Sequence, residues 1–314
     1  MYKKTVPVED IIPRNLEPDL EKLLIQLSSG IEELVNFGSN LIKWDIEKST
    51  MDNVDLPPIL FFRNFIEQID AISILIKSSS VEPCKNILRT ALENMLYLEY
   101  LLDKDFYNRS MSFLVWNYIN NNKNLERLNA SSEEYKKIEK VFFNDKIMKN
   151  QIPPILTNVD ELLNTGNLII NSTKFQPFKI EYEATQKRLK KNNISWYSLF
   201  NGPRNIKELA ENLKNTVLYD GFFKNYSSAT HGTDILQGKL TSSTQKDFGI
   251  IQIRDPQNAQ HITQNCFNFC LIIFPIYIQK RIPIKQTDFN NWYLGIIEFH
   301  RQITEKQLIE IKKR

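Results

Sequence analysis

Apolar residues recur at spacings of three and four along most of this chain, and only nine glycines interrupt them in 314 residues. That spacing lines up one face of an α-helix and cannot line up one face of a strand. The pattern therefore confines the chain to an all-α fold, a multi-helix bundle with at most a small β-hairpin near residues 240–254. The first helix is expected from about Pro18 to Lys48, with Gly30 and Gly38 as candidate bend positions. After a loop carrying Pro57 and Pro58, a second runs Ile59 to Lys77, a third from about Glu82 to Leu102 and a fourth over Phe106 to Asn120. A charged helix near Glu133 to Lys149, a short one at Val159 to Leu163 and an irregular stretch to about Pro177 follow. The chain is helical again from Glu181, with breaks at Asn192 and at Asn201-Gly202-Pro203. Arg204 to Leu218 and Asp220 to His231 read as helices, FGIIQIRDP (Phe248 to Pro256) alternates like a strand, and helices over Gln257 to Gln279 and Phe289 to Lys313 close the chain. The expected organisation is an N-terminal helical segment (1–55), a helical core (56–240) with an irregular insertion around 121–180, and a C-terminal hairpin with helices (241–314).

Charge excludes a dedicated nucleic-acid binder by composition: 40 Lys and Arg against 37 Asp and Glu leave +3, so any RNA contact has to be local. The N-terminus MYKKTVPVEDIIPRN lacks the apolar run of a signal peptide. CFNFCLIIFPIYI (Cys266 to Ile278) contains Asn268 and Pro275 and falls short of the roughly 20 residues a membrane span needs; it reads as a buried helix kinked or ended near its proline. Three cysteines, an odd number, argue against a disulfide framework. The expected location is cytoplasmic, with no membrane partner.

The third helix carries the most information. Ile87, Leu88, Ala91, Leu92, Met95, Leu96, Leu98, Leu101 and Leu102 cover more than half its circumference, leaving a narrow stripe of Asn86, Arg89, Glu93, Tyr97 and Tyr100. Charges on so buried a helix need partners. Arg89 and Glu93 can pair with each other, but with the cation N-terminal that is the weaker order on a helix, so a partner outside the helix is expected. The second candidate region is YSSATHGTD (Tyr226 to Asp234). There Tyr226, Ser227 and His231 gather near a helix end that Gly232 is suited to terminate, either as a site for an anionic or phosphorylated ligand or as a histidine complementing the helix dipole. In SWYSLFNGPRNIKELA (Ser195 to Ala210) Trp196 is a core anchor or a ligand platform, and Arg204 stands where it can reach a phosphate or carboxylate. The run Lys187, Arg188, Lys190 and Lys191 reads as a solvated face. Cys266 and Cys270 read as core. No Walker loop, dinucleotide fingerprint, nucleophile elbow or zincin motif occurs, and no cofactor or metal is called for.

LRTALENMLYLEYLL, SWYSLFNGPRNIKELAENL and YDGFFKNYSSATHG occur in that order. Together they resemble the bacterial domain-of-unknown-function family 5677, whose pattern is an R-x-x-x-E helix, a Trp-bearing turn and a Y-x-x-x-Y/F-S-x-x-x-H-G ending. The resemblance covers roughly Ile59 to Leu240 and points to Arg89, Glu93, Trp196, Tyr226, Ser227, His231 and Gly232; it confers no activity. A looser similarity is to the HEPN group of helical bundles, many of them metal-independent ribonucleases of toxin and phage-defence systems. Their Arg and His, four to six residues apart on one helix, have no counterpart here: Arg254 and His261 straddle Pro256, leaving Arg89 and His231 as a replacement from different helices.

Two functions follow as expectations. In a metal-independent endoribonuclease-like effector, His231 acts as base or acid, Arg89 supports the phosphorane charge, Glu93 orients, and Tyr226, Ser227, Trp196, Arg204 and Tyr97 hold substrate. In a non-enzymatic sensor or binding module the same pocket holds a small anionic ligand or a protein partner. RNA or a phosphorylated small molecule, an antitoxin or defence-system partner, and a second copy of the chain are the partners these readings call for.

Overall fold

The computed structural model describes residues 5–309 except 7, 50–51, 150, 225, 227–239 and 245–246, with the backbone alone over 240–248. Among the described residues the architecture is all-α, with one two-stranded hairpin. The chain divides into two compact units: residues 1–104 with 210–314, and residues 105–209 between them.

The first unit is built on α1 (Pro18–Lys48), α2 (Leu56–Lys77) and α3 (Cys84–Asp103), which pack in succession. Pro18 stands in the first turn of α1, where a missing N–H costs nothing. The same logic moves the start of α2 ahead of its expected position: Pro57 and Pro58 open the helix instead of preceding it, following a 3₁₀ turn at Asn53–Asp55. Gly30 and Gly38 lie within an unbroken α1 and serve close packing. A Cβ at Gly38 would sit 2.2 Å from Ile66 Cδ1, and one at Gly30 2.1 Å from the Phe299 ring.

After residue 209 this unit continues with α9 (Thr216–Leu218), which runs into a π-helical turn at Tyr219–Phe223. The hairpin follows, β1 (Leu240–Thr244) antiparallel to β2 (Asp247–Ile250) with Leu240 opposite Ile250. It falls inside the expected 240–254 region. Last come α10 (Ala259–Arg281) and α11 (Gln286–Glu305).

By length and composition α10 is the one helix among the described residues that qualifies as a membrane span, yet 61% of that apolar window is buried. It is the core helix: Cys266, Phe267, Phe269, Cys270, Ile273 and Phe274 are all buried. Phe62 stacks on Tyr277 at 4.2 Å and Phe37 on Trp292 at 4.2 Å. Pro275 is accommodated inside the helix, which continues to Arg281 and does not end at the proline. Cys84, Cys266 and Cys270 are buried free thiols, each with its pKa pushed up chiefly by burial.

The end of α10 is pinned by charge. The Arg281 guanidinium donates from Nε to Asp45 Oδ2 at 2.9 Å, from Nη2 to Asp45 Oδ1 at 3.1 Å and from Nη1 to Asp55 Oδ1 at 2.8 Å. The Tyr277 hydroxyl donates to Asp45 Oδ2 at 2.5 Å. Asp45 is 1% exposed, so these hydrogen bonds replace the water it loses on burial.

The second unit contains α4 (Phe106–Glu126), α5 (Glu133–Asn144), α6 (Val159–Ile170), α7 (Gln176–Leu189), a 3₁₀ turn (Trp196–Asn201) and most of α8 (Ile206–Asn212). Ser132 caps α5, its Oγ accepting from Tyr135 N. Helix α6 runs seven residues past its expected end at Leu163, because Gly166 lets Asn122 of α4 lie against it while Asn122 Nδ2 donates to Asn167 Oδ1. The expected helix Arg204 to Leu218 is instead broken between Asn212 and Thr216, where Lys214 takes a left-handed conformation (φ 62°).

Replacing Arg281 with Met should cost about 3–5 kcal/mol, because it strands the buried Asp45 carboxylate. Arg281→Lys should recover only part of that loss, since an ammonium cannot form the two-point contact. Urea denaturation of the three proteins checks both statements.

Candidate functional site

The polar stripe of α3 is half-buried at Arg89, Glu93 and Tyr97, while Asn86 is exposed and Tyr100 is buried. Arg89 Nη2 lies 3.5 Å from Glu93 Oε1, the side chains being 20% and 31% exposed. That contact is an ion pair too long for a good hydrogen bond. The guanidinium lies over the Phe223 ring, 4.6 Å from its centroid, which supplies the partner outside the helix that the sequence demands, though it is an aromatic face and not a counter-charge. Arg89 Nε is buried with no hydrogen-bond partner among the described residues. Burial pushes the Glu93 carboxyl pKa up, and the neighbouring Arg89 charge offsets only part of the shift. Tyr97 packs edge-on against Phe61 at 5.7 Å.

Two contacts lay the segment from Asn215 to Phe223 antiparallel along α3. At one end Asn215 Nδ2 donates to Glu99 Oε2 at 2.6 Å; at the other Phe223 meets Arg89. Asn215 can make its bond because the chain breaks its helix at Lys214 and closes the turn with Asn215 N donating to the Ala210 carbonyl. Glu99 is a member of this site that the sequence reading missed. Its one signal was a carboxylate flanked by apolar and aromatic residues, within LYLEYLL. Burial, with repulsion from Asp103, lifts its pKa to about 7 against the Asn215 hydrogen bond, which lowers it.

Beyond Phe223, Tyr226 is buried, and its hydroxyl accepts from Asn265 Nδ2 of α10 at 2.7 Å. Burial raises that phenol to about 12, so it is neutral and holds the segment to the core helix. The phenyl ring of Phe222 joins in, edge-on to Phe269 at 5.4 Å. Ser227, His231, Gly232 and Asp234 lie outside the described residues.

Trp196 and Arg204 belong to the second unit. Trp196 is buried there, edge-on to Phe113 at 5.7 Å and Tyr197 at 5.7 Å, which is the core-anchor arrangement. Arg204 is exposed just before α8, whose first turn is capped by Asn205 Oδ1 accepting from Glu208 N. The structure thus brings Arg89 and Glu93 together on α3, with Tyr97 one turn on, and adds Phe223, Glu99 and Asn215. Among the described residues no cluster of three or more His, Cys, Asp or Glu side chains is arranged to hold a metal ion.

These elements, from the start of α2 through β1 and into β2, lie within residues 55–247, which match the model of a family of unknown function, DUF5677. The chain belongs to the DUF5677 family. No curated protein and no solved structure matches it. Within the matched span the DUF5677 chain has its R-x-x-x-E pair on a helix face crossed by the segment that leads to Tyr226.

Because folding raises the Glu99 pKa from the ordinary carboxylate range to about 7, the folded protein holds this proton more tightly than the unfolded chain does. The resulting stabilisation is complete below the unfolded pKa and is lost as pH rises towards 7. Glu99→Gln, which keeps an acceptor for Asn215, should therefore stabilise the protein at pH 8 by about 1–3 kcal/mol and leave it little changed at pH 4.5. Denaturant midpoints at the two pH values measure this.

Proposed function

We propose that the stripe of α3 is an anion-binding site, with Arg89 its cation and with RNA or a phosphorylated small molecule as the ligand class. One observation carries the reading: a half-buried guanidinium, stacked on Phe223, whose only charged partner among the described residues is a long contact to Glu93 and whose Nε is unpartnered. Buried donors without acceptors are costly, and a phosphate oxygen satisfies them with charge-assisted bonds. The aromatic face holds the guanidinium plane in place, so little ordering remains when the ligand arrives. In this form the protein is a sensor or binding module.

A second reading is favoured by Glu93. A carboxyl whose pKa is raised keeps its proton closer to neutrality and can deliver it to a leaving oxygen. With Arg89 supporting the charge of a phosphorane and His231 as the base, the same stripe cleaves RNA without a metal. That is the chemistry of an endoribonuclease-like effector of a toxin or phage-defence system, in which an antitoxin would be the natural partner.

With adenosine 5′-monophosphate as probe, the melting temperature of the wild-type protein should rise with ligand concentration, and Arg89→Gln should abolish the rise. An unchanged rise in that variant would remove Arg89 from the site. On a labelled RNA, wild-type cleavage in the presence of a chelator that falls at least about a hundredfold in His231→Gln, with melting unchanged, supports the enzymatic reading. Nucleotide binding without cleavage leaves the binding module.

A further inference from the structure

The second unit carries the chain's excess positive charge in one place. Residues 171–209 hold eight Lys and Arg against three Glu, a net of +5, while the whole chain carries +3. Lys187 and Arg188 occupy the last turn of α7, where cations complement the helix dipole. Lys190 and Lys191 continue the run past the helix end, and all four are exposed. A helix terminus does not need four cations.

Beside them lies an unusual turn. Phe200 adopts the left-handed conformation (φ 54°, ψ 43°), followed by Asn201 at φ 60°. Glycine or asparagine takes this conformation cheaply, and a bulky side chain there is an outlier. The surroundings enforce it: Phe200 N donates to Glu181 Oε1 at 2.8 Å, Thr185 Oγ1 donates to the same oxygen at 2.8 Å, and Ser198 Oγ donates to the Pro203 carbonyl at 2.6 Å. Arg188 bridges turn and helix, its Nη2 donating to the Ser198 carbonyl at 3.2 Å while Nη1 pairs with Glu181 at 3.7 Å. All this holds a phenyl ring in water, since Phe200 is 47% exposed. The ring is continuous with others: Phe200 and Tyr107, itself 48% exposed, flank the buried Phe178 at 5.8 and 6.2 Å. A turn that needed only its backbone shape would be met by glycine. Its edge-on packing against Phe178 uses only part of the Phe200 ring, and the rest faces water.

We infer that this surface of the second unit, with Phe200 and Tyr107 as stacking platforms and Lys187, Lys190 and Lys191 as phosphate contacts, binds single-stranded nucleic acid. Fixed exposed aromatics beside a cationic helix end match the two needs of a single strand, a π-face for its bases and positive charge for its backbone. A duplex offers no free base faces to Phe200. This surface goes beyond the anion site on α3: it shares no residue with it and requires no bond to be cleaved.

The test is fluorescence anisotropy of the full chain with a labelled oligouridine of about twelve nucleotides, within the ~4–16 nucleotide span of such sites, at rising salt from about 50 mM. Binding should weaken steeply with salt, and the corresponding duplex should bind at least about tenfold more weakly. Phe200→Ala should cut affinity about tenfold, Phe200→Trp should retain it, and Lys187→Glu with Lys191→Glu should lower both affinity and salt slope. Phe200→Gly, which the left-handed conformation favours, keeps the turn and removes the ring, so its loss of binding cannot be ascribed to misfolding; melting curves accompany each variant. Phe200→Gly should keep the adenosine 5′-monophosphate response of the wild type while losing the oligonucleotide, which separates this surface from the α3 site. No binding by the wild type at about 50 mM salt overturns the inference. Equal binding of duplex and single strand, or Phe200→Gly binding like the wild type, also overturns it, leaving only polyanion adhesion.

Discussion

The buried ion cluster of Asp45, Asp55, Tyr277 and Arg281 is the constraint on which the first unit depends. It joins residues 236 positions apart in the chain, at the C-terminal ends of α1 and α10 and at the 3₁₀ turn before α2. The apolar faces of these helices are rich in Leu, Ile and Phe, whose contacts are not directional. A carboxylate at 1% exposure needs its partners in place. Only one register brings Arg281 to both aspartates, and that register sets where Phe62 meets Tyr277 and where Gly38 meets Ile66.

With α1, α2 and α10 fixed, α3 has little freedom left. Its apolar positions are consumed by the core, and Asn94, buried among them, is satisfied by Asn64 at 3.0 Å and by the Thr90 carbonyl at 2.9 Å. What remains outward is the stripe with Arg89 and Glu93. The segment after residue 210 then lies along the helix through two dissimilar anchors, the hydrogen bond at Glu99 and the ring under Arg89. Tyr226 continues it onto α10. The candidate site is thus held to the core at three points before the chain reaches residue 227.

The helices were largely legible because their signals are local. Pro18, the Leu and Ile spacing of α1 and the alternation of FGIIQI needed no tertiary information, and the all-α class with a small hairpin followed from them. What escaped was set by partners distant in sequence. Nothing near Asp45 or Arg281 announces that they meet, and a propensity reading carries Arg204 to Leu218 as one helix because the reward for breaking it at Lys214, the bond from Asn215 to Glu99, lies 116 residues away. Within the candidate site, Arg89 and Glu93 were readable as charges on a mostly apolar helix. Phe223 as the guanidinium's support, and Phe200 as a ring held in water, were not, since neither follows from residue type. Trp196, an ambiguous residue in sequence, sits against Phe113 and Tyr197 in the core of its unit.

The chain order of the first unit bears on how the protein is made. Its first half ends at Lys104 and its second begins at Ala210, so the ribosome completes α1, α2 and α3 long before α10 exists. At ordinary synthesis rates the interval until Arg281 emerges is on the order of ten to thirty seconds. Throughout it the apolar faces that belong against α10 are uncovered and Asp45 has no cation. The intervening unit, contiguous in sequence, can fold meanwhile. The nascent N-terminal half is therefore a natural client for a holding chaperone, and a message truncated before α10 yields a bundle that is adhesive rather than inert.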